Sequence, residues 1–150
     1  MTSDKTRSIQ VSNKDFFEIL FPFLEAGKPI KINVVGSSMR PFICNGDQVV
    51  LSPYQSNDLK IGRIVLAEYN GKFVLHRIIK IKDGKFFLAG DGNTHQIEIV
   101  SLSDIKAILT QAMRHNRDLD SNTKIKMSLS LLWYYLRPLR KIWRKLKQTR

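Results

Sequence analysis

Val35-Gly36-Ser37-Ser38-Met39-Arg40-Pro41 joins two apolar, strand-like runs, and Gly46-Asp47-Gln48-Val49-Val50-Leu51 follows close behind. β-Branched residues flank a connection built from Gly, Ser and Pro. That pattern predicts strand, sharp turn, strand. Working outward, the same alternation of short β-branched or aromatic runs with turns fills residues 30–113. The expected strands are Ile30–Val35, Gln48–Ser52, Ile64–Tyr69, Lys72–Lys82, Lys85–Ala89, Gln96–Val100 and Ile105–Met113. Asn70-Gly71 and Asp83-Gly84 are two-residue hairpin signals, because both turn positions call for positive φ. The fold class is therefore mainly β: an antiparallel, coiled sheet.

Helices are expected at the two ends. Ser12 or Asn13 can cap a helix from Lys14 to Glu25, with Phe16, Phe17, Ile19, Leu20, Phe23 and Leu24 at helical spacing. Pro22 is expected to kink or end it. Residues 1–12 are polar and read as an arm. After a polar linker, His115–Thr123, a helix or two is expected over Lys126–Lys147. Its stripe is Leu132, Tyr135, Leu136, Leu139, Ile142, Trp143 and Leu146, and Pro138 is expected to kink it or open its second half. The domains are thus an arm, a β domain with its N-terminal helix over residues 13–114, and a basic tail over 124–150.

The chemistry centres on Ser38. A serine hydroxyl is a weak nucleophile until a neighbouring base takes its proton. His76, in the run Val74-Leu75-His76-Arg77-Ile78-Ile79, is the candidate base. In a strand it shares a face with Val74 and Ile78, while Arg77 points the other way. Asp91, in Gly90-Asp91-Gly92-Asn93, is the candidate third member. It would hold the imidazole tautomer and stabilise the imidazolium. Asp47 is the competing acid. His95 and His115 lie in polar contexts and read as surface residues. Gly36 and Ser37 are the candidate substrate-binding residues beside Ser38, and core packing is one reading of Met39.

Gly36-Ser37-Ser38-Met39, Gly46-Asp47, His76-Arg77 and Gly90-Asp91-Gly92-Asn93, in this order, resemble the boxes of the signal peptidase and LexA-like serine peptidase superfamily. The His-Arg pair resembles its endoplasmic-reticulum and archaeal members, where bacterial and LexA-like members carry Lys-Arg. The resemblance covers about residues 33–93. It implies an acyl-enzyme mechanism, an oxyanion donor from the nucleophile's own N–H, and an extended substrate with small residues before the cut. It also implies that the Gly-Asp turn of Asp47 is structural, that Asp104 matches a weaker late position, and that Met39 joins Gly36 and Ser37 as a substrate-binding residue. Signal peptidases often carry a hydroxyl two residues before the nucleophile. Gly36 stands there instead, as in LexA-like proteins. The expected activity is a serine endopeptidase acting on a leader, signal or precursor segment. The alternatives are a non-catalytic peptide- or membrane-binding module of the same fold, or a LexA-like self-cleaving regulator with Ala26-Gly27 as its cleavage site.

Composition sets the outer bounds. One cysteine, Cys44, excludes an internal disulfide framework, and three histidines without ligand spacing give no zinc site. No cofactor is expected. The formal charge of +12 is concentrated at the end: all 13 acidic residues lie at or before Asp120, and nine of the 25 basic residues lie from Lys124 onward. A basic amphipathic tail bearing Trp133, Tyr134, Tyr135 and Trp143 suits an anionic membrane surface. Packing on the β domain is the next choice, and nucleic acid is disfavoured for want of a DNA-reading motif. No spanning helix and no signal peptide are read, so the expected location is cytoplasmic and peripheral to the membrane.

Overall fold

A computed structural model describes residues 13–93, 95–119 and 124–141. Helix α1 (Asn13–Glu25) precedes strands β1 (Ile30–Asn33), β2 (Gln48–Ser52), β3 (Ile64–Tyr69), β4 (Lys72–Lys82), β5 (Lys85–Ala89), β6 (Glu98–Val100), β7 (Ile105–Arg114) and β8 (Arg117–Asp118), and helix α2 (Lys124–Tyr135) follows. Neighbours in the sheet run in the order β1-β2-β7-β3-β4-β5-β6, with β8 added beside β7, and all pairs are antiparallel. The register shifts at Val50/Leu51, at Leu66/Ala67 and between Ile78 and Lys80. Such irregularities bend strands and deepen their twist, which curls the sheet.

Alternation along β3 and β4 divides the interior in two. Ile64, Leu66 and Phe73 face one core with Met39, Ile43, Val49, Leu51 and Leu109. Val65, Ala67 and Ile78 face the other with Phe86, Leu88, Val100 and Ile108. The hairpin turns form as the sequence requires: Asn70 and Asp83 sit at φ 50, followed by Gly71 at 72 and Gly84 at 69.

The departures have local causes. α1 runs through Pro22, and the Pro22 carbonyl still accepts from Ala26 N–H at 3.0 Å. A proline forfeits its own donor, but its carbonyl remains available to the next turn. β1 stops at Asn33 because the chain turns toward the Ser38 loop, although Val34 still bonds Asp47 and Gly46. β6 begins at Glu98, two residues later than expected. The polar linker contains a short hairpin: His115 and Asn116 adopt φ 48 and 62, and Arg117–Asp118 returns along β7. Charged residues hide this exposed edge strand from a pattern of apolar alternation. The arm at 1–12 and the tail residues Ile142, Trp143 and Leu146 lie outside the described residues.

Candidate active site

The Ser38 loop is closed at its neck. Val34 N–H donates to the Asp47 carbonyl at 2.8 Å, and Gly46 N–H donates to the Val34 carbonyl at 2.8 Å. Asp47 locks that neck with its side chain. Its carboxylate accepts Cys44 N–H at 2.7 Å and two Arg114 donors, Nε and Nη2, at 2.8 Å each. The Arg114 hydrogen bond is the main reason that the Asp47 carboxyl titrates below the ordinary aspartate range; burial acts against it. Asp47 is thus a strut, as the family resemblance implies.

Within the loop, Met39 is 2% exposed and Ile43 wholly buried, and Ile43 N–H closes a helical turn on the Met39 carbonyl at 3.0 Å. Met39 anchors the loop in the core beneath Ser38. Gly36, Ser37 and Ser38 stand exposed. Gly36 adopts φ 105, which L residues rarely reach, and its N–H donates to Asn45 Oδ1 at 3.1 Å. Cys44 is half-buried, with its thiol 3.8 Å from the Pro41 carbonyl.

The Gly90–Asn93 loop meets this turn edge-on. Gly92 N–H donates to the Ser38 carbonyl at 2.7 Å. A Cβ on Gly90 would lie 2.5 Å from the Ser38 carbonyl oxygen and 3.1 Å from His76 Nε2. One missing side chain therefore marks the place where the Ser38 backbone and the His76 imidazole converge. A Cβ on Gly92 would lie 2.8 Å from the Ser37 carbonyl oxygen, so this loop needs glycine for approach.

His76 and Arg77 are consecutive on β4 and both buried, at 5% and 2% exposure. Strand alternation sends them to opposite faces. His76 Nδ1 lies 2.9 Å from Glu98 Oε2, and Glu98 is fully buried on β6. Arg77 instead donates from Nε and Nη2 to both oxygens of Asp91, at 2.9 and 2.7 Å, and from Nη1 to the Gly62 carbonyl at 2.5 Å. Asp91 was expected beside the imidazole. The structure corrects that placement: its carboxylate is occupied by Arg77, and the acid against His76 is Glu98. The second Glu98 oxygen, Oε1, is buried without a hydrogen-bond partner among the described residues.

Sequence inspection missed Glu98 because nothing around it resembles a motif. The available signal was a lone acidic residue at an inward position of Gln96-Ile97-Glu98-Ile99-Val100. An unpaired carboxylate is rarely buried. Asp104 accepts Ser101 N–H at 2.7 Å and caps a turn. His95 and His115 are exposed.

The tail reaches this site. Trp133 Nε1 and Arg140 Nη2 donate to the Asp91 carbonyl at 3.0 and 3.1 Å. Arg137 is 8% exposed and lies within 3.5 Å of the Gly90 carbonyl and 3.4 Å of the Gln96 carbonyl. Burial pushes the Arg137 guanidinium down from its ordinary value, while Tyr134, Glu98 and Asp91 act to raise it. Arg137 and Arg140 also stack on the rings of Tyr134 and Trp133, at 4.2 and 4.3 Å from the centroids.

An open cavity of ≈ 570 Å³ among Glu18, Phe21, Leu24, Tyr54, Phe73 and Lys106 contains none of these groups. No set of three metal-ligating side chains occurs among the described residues.

A curled antiparallel sheet that brings an exposed turn serine to a buried, carboxylate-paired histidine defines the class: the serine peptidase fold shared by LexA-like proteins and signal peptidases. The chain belongs to the Peptidase S24-like family, whose model matches residues 4–111. No curated protein matches the chain as a relative. Among the described residues, no helix is long and apolar enough to cross a membrane.

Proposed function

We propose that this protein is a serine endopeptidase with a Ser38–His76–Glu98 triad, cutting a leader, signal or precursor segment as type I signal peptidases do. One observation carries the reading: the Ser38 backbone carbonyl and His76 Nε2 converge at Gly90 while His76 Nδ1 is held by a buried carboxylate. His76 takes the Ser38 hydroxyl proton at Nε2 as the oxygen attacks the peptide carbonyl carbon. Glu98 fixes the tautomer that leaves Nε2 free and stabilises the imidazolium. The oxyanion is met by Ser38 N–H, which bonds no acceptor among the described residues. Such a donor contributes on the order of 3 kcal/mol of barrier reduction. The leaving amine takes the proton from His76, and water activated by the same imidazole releases the acyl group.

The substrate is an extended segment. β1 is an edge strand that leads directly into the nucleophile loop, so its outer edge can pair with a peptide backbone and carry the scissile bond to Ser38. Self-cleavage at Ala26-Gly27 draws no support from the fold. That dipeptide forms the C-terminal turn of α1, with Gly27 at φ 76, its N–H on the Leu24 carbonyl at 3.0 Å and Lys28 N–H on the Phe23 carbonyl at 2.9 Å. A peptide bond in a capping turn is not presented as a strand.

The test is labelling with fluorophosphonate and penem-type acylators, read by intact mass. An adduct on Ser38 in the wild type, and none in Ser38→Ala or His76→Ala, is expected. A folded wild type inert to every acylator would replace the enzyme with a peptide-binding module.

A further inference from the structure

The C-terminal helical segment, α2 and the helical residues 137–141 that resume after a turn at Leu136, has two interleaved faces. Ser130, Trp133, Arg137 and Arg140 turn inward, Ser130 being wholly buried, and three of them grip the carbonyls of the Gly90–Asp91 turn or Gln96. Leu129, Leu132, Tyr135 and Leu139 turn outward, at 50, 56, 69 and 62% exposure. Steps of three and four residues keep each set on one side of the helix. An apolar row of this kind on a helix already docked by its other face is not covering the protein's own core.

Charge selects the occupant. Lys124 and Lys126 precede the row, and Lys141, Arg144, Lys145, Lys147 and Arg150 follow it in sequence, with no acidic residue after Asp120. A leucine row with an aromatic, flanked by cations and free of carboxylates, matches the boundary between acyl chains and anionic headgroups. A second copy of the chain, itself at +12, would bring like charge to like charge. Helix α1 also exposes Phe16, Ile19 and Phe23, but Asp15, Glu18 and Glu25 accompany them, which an anionic surface repels.

We infer that the outer face of this helical segment, Leu129, Leu132, Tyr135 and Leu139, seats on an anionic lipid surface. The inner face is held on the Gly90–Asn93 loop, so the same helix would present the Ser38 cleft at the bilayer rather than merely tether the chain.

Co-sedimentation of the full chain with vesicles tests this, using phosphatidylcholine alone and phosphatidylcholine mixed with phosphatidylglycerol. Binding to the mixed vesicles is expected, with little binding to the neutral ones. Leu132→Gln/Leu139→Gln should weaken it about tenfold or more. Both side chains are exposed, so circular dichroism and acylation in solution should be unchanged. No binding, equal binding to both vesicles, or undiminished binding by the double variant would overturn the inference. So would a dimer that the same double variant abolishes, since the face would then belong to a second copy. Vesicle binding is read without Ser38 chemistry, so its failure and that of the peptidase reading are separately visible.

Discussion

His76–Glu98 and Arg77–Asp91 are built from neighbouring residues on one strand, and both pairs are buried. They face opposite sides of the sheet and are suited to different work. Arg77 spends donors on both Asp91 oxygens and on the Gly62 carbonyl, at 2.9, 2.7 and 2.5 Å. A guanidinium so engaged is a strut tying the Gly90–Asn93 loop to β4 and to the turn before β3. His76 spends one nitrogen on Glu98 and leaves the other facing Gly90. A buried pair in which every nitrogen is bonded contributes rigidity, whereas one with a nitrogen to spare can exchange a proton.

The largest expected effects break the working pair. His76→Ala should lower the acylation rate of Ser38 by about 10³-fold or more, and Glu98→Gln by about 10³–10⁴-fold through loss of tautomer control. The double variant should be little slower than His76→Ala, because the residues act as one unit. Denaturation midpoints close to wild type for Glu98→Gln would separate this loss from unfolding. If Asp91→Asn instead gave the larger kinetic loss and Glu98→Gln none, the two pairs would have exchanged roles.

Breaking the strut should appear in stability. Arg77→Met or Asp91→Asn leaves one buried charge or donor set without its partner, and should cost about 3–5 kcal/mol in urea unfolding. Arg77→Met/Asp91→Leu should recover much of it. A double variant as unstable as the singles would contradict the strut.

Gly90→Ala tests the point where the two sides meet. Its Cβ would stand 2.5 Å from the Ser38 carbonyl oxygen, so the Ser38 loop must shift. A displacement near 1 Å should slow acylation about 10²-fold, measured with the same acylators.

The smallest effect concerns the loop's neck. The folded Asp47 carboxyl titrates below its ordinary range, chiefly because of Arg114. The unfolded chain therefore binds a proton first as pH falls. Asp47 contributes stability that is present above the ordinary aspartate pKa of about 4 and lost as pH drops through the lower folded value. Asp47→Asn should cost about 2 kcal/mol at neutral pH and flatten the acid limb of a stability-against-pH curve. An unchanged acid limb would remove Asp47 from that role.

Much of this was legible in residue order. β2, β3, β4 and β5 fall at their expected bounds because alternation and the Asn70-Gly71 and Asp83-Gly84 turns fix strand ends locally. Ser38 and His76 stood out by their neighbours. Glu98 did not, since its role depends on β6 pairing with β5, and β5 with the strand that carries His76. Asp91 looked like the third member because it sits in a recognisable box. Only the pairing of Arg77 with it shows that its charge is already engaged.

The tail makes the same point at larger scale. Sequence alone predicted a helix or two and established the basic excess and aromatic content, all properties of residues within a few turns of one another. It left membrane surface and β domain as competing destinations. Tertiary structure put Trp133, Arg137 and Arg140 on the β domain, at the loop beside Ser38, and left Leu129, Leu132 and Leu139 exposed. Helical periodicity says which residues share a face. Which face meets the body is decided by partners more than 40 residues away along the chain, such as the Asp91 carbonyl for Trp133, and no local pattern records them.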